Sequence, residues 1–300
     1  MAVRFGSNCH PVAVPAVADD VDGDRRSDML WRNDPNTDFA YWLMDGPQRV
    51  SGQGYSVGPN WNVVAKGDFN GDGQLDLVWS DGQSMQLWQR KIDGYEGLPM
   101  PLYPRGYRVV AHGDVNGDGK TDLLWRDADD RVLALWVMDG AQVVDSSSYG
   151  LSAGWRIAAT GDLDGDRRLD LVLTNGARMD LWRGRRNLVW SAAAMGNFPV
   201  GWELTGTADM DGDGRHDLLW RHGQLGYFVY WRMVGPRRTY GREFLVDGTW
   251  RILKAGNFNS DGKADIVWTN GSLMQLWASG EGEGFQGLEM AAYPRGWTSR

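Results

Sequence analysis

The chain has 300 residues, with 39 acidic against 31 basic side chains, a formal charge of −8 and a pI near 5.0. That balance excludes affinity for a nucleic-acid backbone built on clustered Lys and Arg. With 42 % apolar and 23 % charged residues the chain is not disordered. No run approaches the roughly 20 apolar residues that span a bilayer, and a lone cysteine, Cys9, excludes an internal disulfide framework.

The first 20 residues carry one Arg and a weak apolar run broken by prolines, which is not the pattern of a signal peptide. From there a repeat takes over. DDVDGDRRSDMLW (Asp19–Trp31) is followed by GDFNGDGQLDLVW (Gly67–Trp79), GDVNGDGKTDLLW (Gly113–Trp125) and GDLDGDRRLDLVL (Gly161–Leu173). ADMDGDGRHDLLW (Ala208–Trp220) and GNFNSDGKADIVW (Gly256–Trp268) complete the set. Equivalent positions 20, 68, 114, 162, 209 and 257 are separated by 48, 46, 48, 47 and 48 residues.

Each unit reads as β. A short alternating run precedes the Asp-rich loop, as in Trp61 to Ala65 or Trp155 to Ala159. A buried-type strand such as Leu123-Leu124-Trp125 follows, then a turn and a third strand such as Met85 to Trp88. A variable Gly-rich stretch leaves room for a fourth. No window holds a helical period for ten residues. Four short strands in each unit of 45 to 50 residues point to an all-β, six-bladed β-propeller in a single domain spanning 1–300. The expected blade repeats are 13–60, 61–106, 107–154, 155–201, 202–249 and 250–297. Residues 1–12 are expected to close the ring, with Met1 to Phe5 pairing with the last blade and hiding its edge. The alternative is the C-terminal tail lying against the first blade.

The tryptophans follow the period. One set ends the second strand (Trp31, Trp79, Trp125, Trp220 and Trp268, with Leu173 in the fourth unit). A second lies in every third strand (Trp42, Trp88, Trp136, Trp182, Trp231, Trp277), and a third opens the first strand (Trp61, Trp155, Trp202, Trp250, Trp297, with Tyr107 substituting). Only Trp190 stands outside the scheme. Such spacing is most simply blade packing.

A finer alternation lies beneath. The last loop Asp and the third-strand Trp are 14, 12, 14, 12, 14 and 12 residues apart. Odd units carry Trp-Arg after the loop, and two even units carry Tyr-Pro-Arg-Gly at Tyr103 and Tyr293. The pattern is a two-blade module used three times.

The loops have the donor set of a hard cation. In Asp209-x-Asp211-x-Asp213-Gly214-x-x-Asp217, positions one, three and five can converge on one ion. Position seven can add a carbonyl and position nine can close the sphere. Oxygen donors in this number suit Ca²⁺ rather than Zn²⁺. The expected ligands are Asp20, Asp22, Asp24 and Asp28; Asp68, Asn70, Asp72 and Asp76; and Asp114, Asn116, Asp118 and Asp122. The other three sets are Asp162, Asp164, Asp166 and Asp170; Asp209, Asp211, Asp213 and Asp217; and Asn257, Asn259, Asp261 and Asp265. Up to six Ca²⁺ would move the formal charge from −8 to +4. The sites should differ, because Arg25 and Arg167 stand where glycine fits best and the sixth has only two carboxylates. The sixth is expected to be weakest.

These loops resemble the VCBS/FG-GAP repeat, related to the calcium-bearing blades of integrin alpha-chain propellers, over about residues 13 to 300. The literal Phe-Gly…Gly-Ala-Pro signature and Arg-Gly-Asp are both absent. The resemblance implies calcium, an exported or cell-surface protein, and use as a lectin, a protein-binding head or an accessory module of a secreted hydrolase or lyase.

For a ligand, the odd units offer Arg32, Arg126 and Arg221 with Tyr41 or Tyr230 in the next strand. The even units offer Tyr103 with Arg105 and Tyr293 with Arg295. The competing reading has these arginines stacking on blade-joint indoles. No nucleophile elbow, phosphate loop, HExxH or zinc cysteine cluster occurs, so no catalytic residue is nominated. The leading expectation is a calcium-stabilised multivalent carbohydrate-binding propeller whose partners are glycans or glycoproteins. A protein-binding or adhesion module and an enzyme-associated propeller are the alternatives.

Overall fold

The second strand of every repeat is an unbroken apolar run, and it forms the buried spine of its blade. Met29–Asn33, Asp76–Ser80 and Asp170–Thr174 are buried at every position, as is Asp265–Thr269. Asp122–Asp127 and Asp217–His222 are buried up to the last residue. Third strands alternate, as in Val132–Asp139, and fourth strands such as Gln142–Gly150 are largely exposed. Burial therefore peaks at the second strand of each blade and falls outward from it. The computed structural model describes residues 17–33, 37–280, 282 and 284–300.

The described residues form six antiparallel four-stranded sheets and no helix, a six-bladed β-propeller. Blade two shows the plan: Asn62–Gly67, Asp76–Ser80, Met85–Lys91 and Gly94–Pro99 pair in sequence order. First strands of successive blades lie against one another. In blades two to six the pairing of first and second strands slips by one residue, for example between Val63 and Ala65, a bulge that bends the inner strand just before the Asp-rich loop.

Closure comes from the C-terminus. Thr298 and Ser299 pair antiparallel with Arg32 and Trp31, and the Arg300 amide donates to the Leu30 carbonyl at 3.0 Å. The tail is thus the missing first strand of blade one, which makes Trp297 the counterpart of Trp61 and Trp155. The segment expected to close the ring, Met1 to Phe5 within residues 1–12, lies outside the described residues. Blade one is also tied to both neighbours by charge. Asp19 accepts from Lys66 of blade two at 2.7 Å and from Lys254 of blade six. Burial opposes its charge, yet Lys254 and Lys66 hold its carboxyl well below the usual range.

The indoles explain the two-blade period. In five blades the second- and third-strand tryptophans pack within the blade, with centroids 4.8 to 5.2 Å apart. Each second-strand indole then receives a ring edge from the preceding blade. For even blades the edge is Phe39 on Trp79 (5.2 Å) and Phe228 on Trp268 (5.4 Å). For odd blades it comes from the connecting loop: Tyr103 on Trp125, Phe198 on Trp220 and Tyr293 on Trp31, at 5.1 to 5.4 Å. Between blades three and four both partners are aliphatic, Leu133 and Leu173 in one core cluster. Trp190 supplies Trp182 with the indole neighbour that Leu173 cannot, at 6.5 Å.

Candidate metal centres and ligand clefts

In loops one to five the first carboxylate is caged by the loop's own backbone. Asp209 accepts from the amides of Gly212, Asp213 and Gly214 at 2.7, 3.2 and 2.8 Å. Asp20, Asp68 and Asp162 repeat the three bonds, and Asp114 keeps two. Amides converge this way only if positions four and six turn left-handed. Gly212 and Gly214 do so at φ 78° and 80°, while Arg25, Arg167 and Ser260 are held at 70°, 65° and 65° without being glycine. The sequence reading marked Arg25 and Arg167 at position six and Ser260 at position four as departures from glycine, and the structure turns both positions left-handed.

The last aspartate staples the loop to the third strand. One oxygen of Asp217 accepts the Met210 amide at 3.1 Å and the other the Met233 amide at 2.9 Å. Asp28, Asp76, Asp122, Asp170 and Asp265 make the equivalent pair of bonds. Burial pushes Asp28, Asp76, Asp122 and Asp217 up to about 7 and Asp170 up to about 8. Asp265 is also raised by burial.

Three loops gather carboxylates closely. Oxygens of Asp20, Asp22 and Asp28 lie within 4.8 Å of one another, as do those of Asp162, Asp164 and Asp170 and of Asp209, Asp211 and Asp217. The other three loops have Asn70, Asn116 and Asn259 at position three. The position-five aspartates do not belong to these triads. Asp24, Asp166 and Asp213 face Arg26, Arg168 and Arg215, while Asp72, Asp118 and Asp261 accept the amides of Asn70, Asn116 and Asn259 at 2.9 to 3.1 Å.

The donor set fits a hard divalent cation. Every donor is oxygen, and Oδ2 of each caged carboxylate accepts one amide and retains lone-pair capacity. Two loop oxygens, Asp164 Oδ1 and Asn257 Oδ1, are buried without a hydrogen-bond partner, and a buried acceptor left unmade costs about 1–3 kcal/mol. A cation at positions one, three and nine would satisfy both.

The loops also hold each other. The position-eight amide of one donates to the position-one carbonyl of the loop before it, as Thr121 to Asp68 and Ala264 to Asp209, both at 2.7 Å. Odd blades add a second link from a turn glycine. Gly46, Gly140 and Gly235 donate to Phe258, Phe69 and Leu163 at 2.8 to 2.9 Å. All six loops therefore share one rim, and the longer odd-blade hairpin exists to reach its neighbour's loop.

Most residues expected to contact a ligand are structural. Arg32, Arg126 and Arg221 are buried, each donating to the first-strand carbonyl of the next blade: Trp61, Trp155 and Trp250, at 3.0, 3.2 and 2.9 Å. Arg32 and Arg221 lie over Trp79 and Trp268 at 5.7 and 5.4 Å. They lock blade joints, and their burial removes them as ligand contacts. Tyr41 and Tyr230 are buried too, inside the aromatic core. Tyr103 and Tyr293 are half-buried against Trp125 and Trp31, while Arg105 and Arg295 are exposed on their turns. Phe198-Pro199-Val200-Gly201 is the third copy of that turn, concealed by its Phe and Val. Desolvation holds the imidazoles of His112 and His216 neutral, at about 4.

Two clefts open on the outer half of odd blades. One, of about 340 Å³ in blade one, is walled by Trp31, Trp42 and Trp297 with Arg49. The other, of about 260 Å³ in blade five, is walled by Trp220, Trp231 and Trp202 with Arg238. The residues correspond one to one. The sequence reading gave most indoles to packing and the remainder to ligand clefts between blades without saying which. It passed over both arginines, whose only signal was a shared position one residue into the odd fourth strand.

The FG-GAP-like repeat model matches residues 20–79, 114–173 and 162–220. No curated protein matches the chain significantly. Among solved structures, the Photorhabdus luminescens Tc holotoxin pore aligns at TM-score 0.59 and 16 % identity over 96 % of this chain, which spans 14 % of that one. An Agrocybe aegerita lectin specific for non-reducing terminal N-acetylglucosamine aligns at TM-score 0.58 and 12 % identity, over 89 % of this chain and 76 % of its own. The nidogen/laminin complex aligns at TM-score 0.53 and 10 % identity, over 83 % and 88 %. These similarities establish a shared fold. With its repeats matched over more than half its length, the chain belongs to the FG-GAP-like repeat family.

Proposed function

We propose that this propeller is a calcium-stabilised, multivalent carbohydrate-binding module. The observation that carries the reading is the pair of corresponding clefts in blades one and five, each walled by three indoles with a guanidinium at its edge. Flat apolar walls beside a few polar donors suit a sugar ring, which has an apolar face and a polar rim. Repetition of a small site on a rigid ring raises avidity for a ligand that is itself repeated. One structural neighbour is a glycan-binding lectin and another a laminin complex, but a propeller scaffold hosts many functions, so the clefts carry more weight than the fold.

Calcium in this reading holds the rim. Cations at positions one, three and nine would neutralise crowded carboxylates and stabilise the folded ring by mass action. A protein built on such loops works where calcium is abundant, outside the cytoplasm or on a cell surface. The test is a glycan array probed with the purified chain in millimolar calcium and again after chelation. Selective binding in calcium is the expected result. A blank array from chain shown to be folded would overturn the reading in favour of a protein partner.

A further inference from the structure

The two clefts share a local device that the third odd blade has lost. Arg49 donates through Nε to the Ser51 carbonyl at 3.2 Å, which folds its guanidinium over Trp42, 4.9 Å from the ring centroid. Arg238 donates to the Tyr240 carbonyl at 3.3 Å and lies 4.4 Å over Trp231. Both arginines are exposed, so the fold does not need them as it needs Arg32 or Arg221.

A glycine makes the arrangement possible. A Cβ on Gly52 would strike the Tyr41 carbonyl oxygen of the paired strand and also meet Arg49 Nη2 at 3.1 Å, while one on Gly241 would collide with the Arg238 guanidinium alone. Blade three has Val143 at the arginine position and Ser146 at the glycine position, as its strand register shows, and Val143 packs onto the core. Arginine and glycine are present together in blades one and five and absent together in blade three, so the folded-back guanidinium is a feature of those two blades among the odd ones.

At the floor of each cleft is a buried indole, Trp31 or Trp220, whose Nε1 has no hydrogen-bond partner. The equivalent indoles of the other blades, Trp79, Trp125 and Trp268, also lack a partner, so the cleft walls rather than this group distinguish blades one and five. Trp79 and Trp268 lie beneath Arg32 and Arg221. At about 340 and 260 Å³ the clefts fall just above and just below the lower bound of ligand sites, about 300 Å³, so each suits a single ring at most. Their polarity differs. In blade one the ionised wall residue is Arg49, and Gln53 Oε1 already accepts the Tyr41 hydroxyl at 3.3 Å. In blade five Glu243 joins Arg238 in the wall, at the register position that Gly54 holds in blade one.

Resting on the carbohydrate reading, we propose that the chain is divalent for single pyranose rings. The blade-one cleft takes a carboxylate-bearing sugar against Arg49, the blade-five cleft takes a neutral sugar between Arg238 and Glu243, and blade three has no site. Where the one charged wall group is a guanidinium, a carboxylate is favoured, because the two pair through parallel N–H···O bonds. A wall with both donor and acceptor suits hydroxyls.

The test is titration calorimetry in calcium with methyl glucuronide and methyl N-acetylglucosaminide, on the full chain and on Arg49→Ala, Arg238→Ala and the double variant. Both side chains are exposed, so circular dichroism should match the parent. Glucuronide binding at one site per chain, lost in Arg49→Ala and kept in Arg238→Ala, is expected, with the reverse for the neutral sugar. A fall of at least tenfold in affinity is the effect to be read. Sugar binding that persists in the double variant, or glucuronide binding indifferent to Arg49, overturns these sites while leaving a lectin standing. Failure of both sugars on a chain that binds an array also overturns the assignment. A blank array and two blank titrations sink the carbohydrate reading itself.

Discussion

The loops of blades five and six have the same backbone and different chemistry. In blade five Asp209 gathers three amides, and its oxygens lie within 4.8 Å of those of Asp211 and Asp217. In blade six Asn257 takes its place, its Oδ1 is buried without a partner, and Ser260 occupies a left-handed position at φ 65°. The sixth loop nevertheless keeps its shape. Its Asp265 accepts the Phe258 and Ser279 amides, and the Ser279 hydroxyl bridges Asp261 and Asp265 at 3.0 and 2.9 Å. The comparison separates two features that the repeat combines: position nine ties the loop to the third strand with or without a carboxylate at position one, and the caged carboxylate is an addition to that frame.

The largest test of that division is to remove metal from all loops at once. A site saturated a hundredfold above its Kd contributes about 2.7 kcal/mol to stability. Chelation should lower the melting temperature sharply and readdition of calcium should restore it; a melting curve indifferent to both would mean the loops hold no metal. Next comes Asp217→Ala, which strands the Met210 and Met233 amides in the interior at a cost of about 2–4 kcal/mol. Its loss should persist in chelator, whereas Asp211→Ala should lose stability only in calcium. Equal behaviour of the two in denaturant titrations would erase the distinction.

Acid offers a third handle. Burial raises the position-nine carboxyls to about 7 or 8, above the unfolded value of about 3.9. The metal-free folded chain thus binds more protons than the unfolded chain between about pH 4 and 7, so its stability falls as pH rises through that window. Protons and calcium compete for the same oxygens, so calcium affinity should weaken as pH drops below 7. Melting in chelator and calorimetry in calcium should therefore show opposite trends with pH, and parallel trends would refute the coupling.

A smaller change can sharpen the contrast between the two loops. Asn257→Asp restores the first carboxylate of blade six and should raise metal occupancy there, seen as one tighter step in a calcium titration. An unchanged isotherm would show that Asn257 does not limit the site. The smallest effect is expected from Arg167→Gly. Relief of a left-handed non-glycine residue is worth about 1 kcal/mol, and a melting temperature that fell instead would mean that Arg167 makes a compensating contact.

Blade number, β class and the loops were legible because they depend on local, repeated chemistry. A loop that must cage a carboxylate needs Asp, Gly and Asp at fixed spacing, and six copies at steps of 46 to 48 residues favour a propeller over its rival, a solenoid. The alternation of 14 and 12 residues was also visible, but its cause was not, since the bond from Gly140 to Phe69 joins residues far apart in the chain. Ligand residues were harder to read. Arg32 and Arg49 look equally available in sequence, yet one is buried between blades and the other lies open over Trp42.

The sequence by itself determined the repeat, the turn chemistry and the oxygen donors, all set within a dozen residues of one another. Only the tertiary structure decided which end closes the ring, which arginines face solvent and which indoles wall a cleft. Each of those depends on what the neighbouring blade places opposite, and packing between distant segments leaves no local pattern from which to read it.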